Sequence, residues 1–344
     1  MNQSDDPAPI PRKRNPRGVT MEAVGRMAGV SQVTVSRALS DPSKVSPETM
    51  ARIREAIAVT GFVPNALAGA LASRRSMMVS ALVPSITNIV YATMLAPFSD
   101  ELKSRGYQIL LSETGFDPEE EAATVEAHLS RRPDAMLLTG VHHAARTRRM
   151  LLGADLPVVE VWDITETPID LCVGFSHAAS GRAVAEFAHG AGYRQAAGIC
   201  AGDERAQRRL SAFAERFGTL SGTDVPVART ERGNLASGRA LLTQLIDKRG
   251  FTGGVVACSS DVLAQGVLIE AAARGLSVPR DLAVVGFGDQ ELADAVEPAL
   301  TTVRVNREAL GRAAAQALLT RIDGATPSRS VIDVGFTLIR RASA

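Results

Sequence analysis

The chain is poor in exactly the residues that staple, anchor or oxidise a protein. Of 344 residues, three are cysteine, one is tryptophan and three are tyrosine. Cys172, Cys200 and Cys258 are scattered, with no C-x-x-C spacing. An odd, dispersed set argues for a reducing compartment and against a disulfide framework or a zinc site. No apolar run approaches the roughly 20 residues that cross a bilayer. The opening M-N-Q-S-D-D-P-A-P-I-P lacks the apolar core of a secretion signal. A cytoplasmic protein with no membrane partner is therefore expected. Catalytic signatures are missing too. There is no G-x-x-x-x-G-K-[ST] loop, no complete G-x-G-x-x-G turn and no H-E-x-x-H pair. The run G-F-S-H-A at Gly174 lacks the last glycine of a nucleophile elbow. His142, His143, His177 and His189 read as surface or packing residues. No enzyme activity, cofactor or metal is expected. No solenoid repeat is visible.

What is present is unevenly charged. The net charge is +1 overall, but residues 1–76 carry +5 and residues 77–344 carry −4. A basic head on a faintly acidic body is a local footprint of attraction to phosphate. Residues 1–17 are Pro-rich, polar and basic, the composition of a disordered tail. From Val19 to Leu39 the spacing predicts two short helices joined by a tight turn. Met21, Val24 and Met27 form an apolar face on the first. Gly29 stops it, and Ser31 caps the second, where Val35, Ala38 and Leu39 make the buried stripe. Gln32, Thr34, Ser36 and Arg37 then point outward. Those side chains suit a recognition helix in a DNA major groove: Gln pairs with adenine, Arg with guanine, and Ser or Thr with either. Ser46 and Pro47 open a third helix, closed at Gly61.

Residues 64–76 contain a short Ala- and Leu-rich stretch that Asn65 can cap. It is too short to be a stable helix alone. It is expected to be a hinge helix that forms on a partner, with Leu71 as a wedge between base steps in the minor groove.

Beyond Met77 short aliphatic runs alternate with helices of about 15 residues, the pattern of parallel strands with crossover helices. Strands are expected at 78–83, 107–111, 135–138, 158–161, 195–199, 225–228, 254–258 and 282–287. They are too many for one core, so two subdomains are expected, about 77–162 and 177–289. The segment from Pro298, the helix 307–322 and a last strand 335–339 would cross back between them. The fold class is thus α/β, with a three-helix head and hinge helix, then two doubly wound parallel-sheet subdomains. A ligand would sit between the subdomains, beyond the strand ends. Asp163, Arg209, Asp261 and Asp289 follow strands there, and four such groups suit a hydroxylated or charged small ligand.

The assembled pieces resemble the LacI/GalR family of transcriptional repressors. The stretch Val19–Leu39 is similar to its DNA-binding signature, and G-F-V-P-N-A-L-A-G-A-L from Gly61 is similar to its hinge. G-Y-Q-I-L-L from Gly106, P-R-D-L-A-V-V-G-F from Pro279 and P-A-L-T-T-V from Pro298 match its effector domain. The resemblance implies an effector domain of periplasmic-binding-protein type and a homodimer on near-palindromic operator DNA. It implies that Thr20, Ser31, Thr34 and Ser36 hold phosphates while Gln32, Val33 and Arg37 face base edges, Val33 touching a thymine methyl. Leu71 matches the intercalating leucine. Asp163, Phe175 and Arg209 match effector-pocket positions, and Asp289 lies in the matching G-[FY]-D-D segment.

Two departures bear on the effector. Ser260-Asp261 stands where many sugar-binding members have Asn-Asp, and Gly288-Asp289 where they have two aspartates. One carboxylate fewer beside Arg209, with Arg205 and Arg208 near in sequence, suits an anion. Residues 161–176 are similar to the gluconate-responsive branch. A sugar acid is the expected effector, with a neutral sugar or purine as the alternative. A solute-binding protein is the rival of another class, but it would need an export signal and no basic head. The absence of a heptad tail after the last strand favours a dimer over a tetramer.

Overall fold

The computed structural model describes residues 18–64 and 75–344. The basic tail and the expected hinge residues Asn65 and Leu71 lie outside the described residues. The chain divides into two units at Ser76/Met77.

In the first unit, α1 (Met21–Ala28), α2 (Gln32–Ser40) and α3 (Pro47–Thr60) follow a simple capping logic. Thr20, Ser31 and Ser46 each accept a backbone N–H in the first turn of the helix that follows. Gly29 and Gly61 close α1 and α3 in left-handed backbone, where glycine has no Cβ to clash. The turn between α1 and α2 is tight enough that a Cβ on Gly25 would lie 2.8 Å from the Val30 carbonyl oxygen. Val24, Ala28, Val35, Ala38, Ile53, Ala56 and Phe62 form the core. Two expected core residues are outside it: Met27 is 55% exposed and Leu39 37% exposed. Both sit at the margin of their helices' inward arc, and a core this small has no third layer to cover them.

The second unit holds two six-stranded sheets. The first has the order β11-β5-β4-β3-β1-β2, built from β1 (Met78–Val83), β2 (Gln108–Glu113), β3 (Ala135–Thr139), β4 (Val158–Val161), β5 (Leu171–Gly174) and β11 (Val331–Asp333). Every strand pair in it is parallel. Alternation along β1 sends Val79, Ala81 and Val83 to one face and Leu82 to the other. On the first face lie α4 (Ile89–Ser104) and α12 (Arg307–Ile322); on the second, α5 (Pro118–Leu129) and α6 (Ala145–Gly153).

The second sheet has the order β12-β10-β9-β8-β6-β7, from β6 (Ala196–Ala201), β7 (Val227–Thr230), β8 (Gly254–Cys258), β9 (Leu282–Phe287), β10 (Thr301–Arg304) and β12 (Thr337–Ile339). It is parallel except for the β10–β12 pair. Helices α7 (His177–Gly190) and α8 (Glu204–Ser221) cover one face, α9 (Leu235–Arg249) and α10 (Asp261–Ala273) the other. A short helix, α11 (Leu292–Ala295), follows β9.

The structure corrects the strand reading in three places. Strand β5 belongs to the first sheet, beyond the expected limit at Trp162. Residues 301–304 form β10 beside β9 and do not return to the first sheet at that point. The last strand starts at Thr337, and β11, three residues long, was not foreseen. The chain crosses between the sheets after β5, after β10 and after β11. No helix among the described residues is long and apolar enough to cross a membrane.

Candidate functional site

The three crossings place the carboxyl ends of both sheets against one cleft of about 500 Å³. The first subdomain contributes Ser85, Asn88, Tyr91, Phe116 and Trp162; the second contributes His177, Arg205, Arg209, Ser259, Phe287 and Gln290.

Arg209 is set into this cleft by close helix packing. A Cβ on Gly181 of α7 would stand 2.1 Å from the Arg209 carbonyl oxygen, so only glycine lets α8 approach this closely. The guanidinium is buried and lies over the Phe287 ring, 3.8 Å from its centroid. Its Nη2 donates to the Ser259 carbonyl oxygen (2.8 Å) and its Nη1 to His177 Nδ1 (2.8 Å). His177 Nε2 meets the Trp162 carbonyl oxygen at 2.7 Å. A carbonyl only accepts and a guanidinium only donates, so the imidazole is neutral with its proton on Nε2. Burial, then the Arg209 charge, hold the His177 pKa far below the ordinary histidine value. Burial also pulls Arg209 down to about 10.

Around this centre runs an aromatic wall. Trp162, in left-handed backbone (φ 71°), meets Tyr91 edge-on at 5.9 Å and Phe175 at 6.3 Å. Arg205, one helical turn before Arg209, donates from Nη2 to Tyr91 Oη (2.9 Å), bridging the two subdomains. Three buried donors on residues that line the cleft have no hydrogen-bond partner among the described residues: Arg205 Nη1, Arg209 Nε and Trp162 Nε1.

Of the five effector positions expected from sequence, Arg209 alone lines this cleft; Arg205, Ser260 and Gly288, noted beside them in sequence, line it too. Asp163 lies in an adjoining recess and binds Arg208 (2.6 Å). Phe175 is wholly buried behind Trp162 and His177, stacked on Phe287 at 6.0 Å. Asp261 is also wholly buried: it accepts from Thr302 Oγ1 (2.5 Å) and from the Gln290 N–H (2.8 Å). Burial raises its pKa against those two hydrogen bonds. Asp289 faces the crossings, paired with Arg304 and Arg341. Burial opposes its charge, but the two arginines hold its pKa below the usual range. Asp261 is answered by hydrogen bonds and Asp289 by ion pairs from within the protein itself. The strand-end rule placed them at the correct edge but could not show that Thr302, Arg304 and Arg341 arrive there from the C-terminal crossings. Sequence reasoning missed Tyr91, Trp162, His177, Ser259 and Phe287. The lone tryptophan at the end of β4 was the one usable signal.

In the head, Gln32, Val33, Ser36 and Arg37 are exposed along α2, Val33 at 65%. The Arg37 guanidinium has no hydrogen bond or ion pair among the described residues. Thr20 and Ser31 are occupied as caps, Ser31 Oγ also lying 2.9 Å from Thr34 Oγ1.

One buried cluster lies outside the cleft. His143 Nδ1 is 2.8 Å from Glu121 Oε1 and its Nε2 is 3.3 Å from Glu160 Oε1, with the imidazole fully covered. Burial opposes the charge, but the two carboxylates raise the His143 pKa to about 9. The folded value exceeds the unfolded one, so this stabilisation is complete below about pH 6.5 and is lost as pH rises through about 9. Thermal unfolding should show a loss of roughly 1–3 kcal/mol across that interval, at about 1.4 kcal/mol per pKa unit. His143→Gln should flatten that part of the profile; an unchanged slope would contradict the assignment.

A helix-turn-helix head joined to a two-sheet body with a ligand-sized cleft defines a ligand-controlled DNA-binding regulator. Residues 20–65 match the family described as bacterial regulatory proteins, lacI family, and residues 185–344 match the periplasmic binding protein-like domain. The chain is 35% identical to the HTH-type transcriptional regulator GntR of Pseudomonas aeruginosa, over 94% of this chain and 95% of that one. A LacI family regulator from Silicibacter pomeroyi superposes with a TM-score of 0.88 at 30% identity, covering 94% of this chain and 99% of that one. The transcription regulator GntR from Chromobacterium violaceum does so at 0.73 and 32% identity, covering 77% and 98%. The chain belongs to the LacI family of bacterial regulatory proteins. It is a DNA-binding transcriptional regulator.

Proposed function

We propose that this regulator is a repressor controlled by a sugar acid of the gluconate type, bound in the cleft around Arg209. The observation that carries this is the set of buried donors, Arg205 Nη1, Arg209 Nε and Trp162 Nε1, which belong to residues lining one cleft and have no acceptor among the described residues. Buried polar groups are ordinarily hydrogen-bonded, and an acceptor-rich anion answers all three. The GntR name carried by similar proteins agrees with this. Phe175 supports the aromatic wall, Asp163 acts through Arg208, and Asp261 and Asp289 shape the floor and the crossings.

On DNA, Gln32, Val33 and Arg37 face base edges, while Thr20, Ser31, Thr34 and Ser36 hold phosphates. Asn65 and Leu71 also contact DNA, between a head at 18–63 and an effector and dimerisation domain at 77–344. Two copies read a near-palindromic operator. Phosphate contacts dominate the affinity and make it salt-dependent. Gel shifts on DNA upstream of the regulator's own gene, with and without gluconate, test the reading. A complex whose stability changes with gluconate and not with glucose is expected. A response to glucose alone would overturn it.

A further inference from the structure

Three arginines near the start of α8 have different surroundings. Arg208 is neutralised, donating to Asp163 Oδ2 and to Glu204 Oε1, both at 2.6 Å. Arg205 and Arg209, four residues apart, share one helix face and line the cleft. The ion pair of Arg205 is a loose one: Asp203 Oδ1 lies 4.0 Å from its Nε and already accepts the Ala206 N–H (2.9 Å). Arg209 has no ion-pair partner among the described residues; its bonds go to a neutral imidazole and a carbonyl. Like charges at this spacing repel, and burial makes an unanswered charge costlier. A carboxylate can accept from both guanidinium groups at once.

The remainder of the cavity has the opposite character. Glu231 stands exposed on the cleft's lip. Past Phe116 and Asp203 the cleft shares its lining with a recess of about 300 Å³ bordered by Asp117, Glu121, Asp163 and Glu204. Arg208 answers Asp163 and Glu204, His143 answers Glu121, and Arg205 borders the recess as well, so the carboxylates without an ion-pair partner among the described residues are Asp117 and, on the lip, Glu231. A ligand with one anionic end can place it on the arginines and lay hydroxyl groups along the acidic side. A ligand with two anionic ends leaves one of them among carboxylates whichever way round it binds.

We infer that the cleft selects a singly charged polyhydroxy acid, its carboxylate bridging Arg205 and Arg209, and rejects the same skeleton bearing a second anionic group. The inference rests on the sugar-acid reading above and adds the charge state and the residues that read it.

Calorimetry on the full chain with four probes tests it: gluconate, 6-phosphogluconate, galactarate and glucitol. Gluconate should bind at least tenfold more tightly than each of the others. Arg205→Gln should bring gluconate to the level of glucitol. Glu231→Gln should narrow the gap between gluconate and 6-phosphogluconate at least fivefold. A cooperative thermal unfolding transition of each variant without ligand shows that it is folded. Binding of 6-phosphogluconate or galactarate as tight as that of gluconate, or an Arg205→Gln variant that keeps the preference, overturns the inference alone. Failure of all four probes, or tighter binding of glucitol, overturns the sugar-acid reading together with it.

Discussion

Arg209→Met is expected to leave operator binding in place and to erase the effector response. The substitution keeps the length of the side chain but removes the donors to Ser259 and His177 and the charge over Phe287. Truncating one partner of a buried, hydrogen-bonded charge pair costs about 2–5 kcal/mol in binding. Coupling between effector and DNA is typically about 1–3 kcal/mol, or 5–150-fold in affinity. Such a loss weakens effector binding about 30-fold or more, so at an effector concentration about ten times the parent's Kd the variant is mostly empty and its operator affinity should change less than twofold. Fluorescence anisotropy with labelled operator, at fixed salt, reads both quantities. A variant that responds like the parent would remove Arg209 from the site.

Arg37→Ala should do the converse: weaken the operator complex and leave effector binding alone. Arg37 is exposed on α2 with no intramolecular partner among the described residues, so its loss should change head stability by no more than about 0.5 kcal/mol. If it reads guanine, the lost contact is worth about 1–3 kcal/mol and relaxes preference at one base pair. Two copies lose the contact, one in each half-site, so the ratio of operator to random-duplex affinity should fall at least about 30-fold. Ser36→Ala, at a phosphate position, should weaken both duplexes alike. Equal losses on both duplexes for Arg37→Ala would assign it to the backbone and not to a base.

The head was legible because its signals are local. Caps, stop glycines and a 3.6-residue period lie within a few residues of one another, and Ser31, Ser46, Gly29 and Gly61 stand where those rules put them. The two-sheet body was legible from strand spacing, yet β5, β10 and β11 were missed or misassigned. Each is three or four residues long and owes its existence to a neighbouring strand. The site was the least legible part. Arg209 could be named from its position after β6, but the residues that hold it come from four separate elements. His177 reads as an ordinary packing histidine until Trp162 and Arg209 are seen on its two nitrogens. Asp261 and Asp289 read as ligand groups because their partners Thr302 and Arg341 lie 41 and 52 residues further along the chain.

The central claim is that one metabolite, held between Arg205, Arg209 and Trp162, is linked to DNA binding through the two states of a single chain. Linkage makes the effect reciprocal. The most direct measurement is a pair of titrations at one salt concentration: operator into protein with and without saturating gluconate, and gluconate into protein with and without operator. The account predicts that both pairs differ by the same factor, of at least about fivefold. Gluconate that binds the protein equally well with and without operator would contradict it.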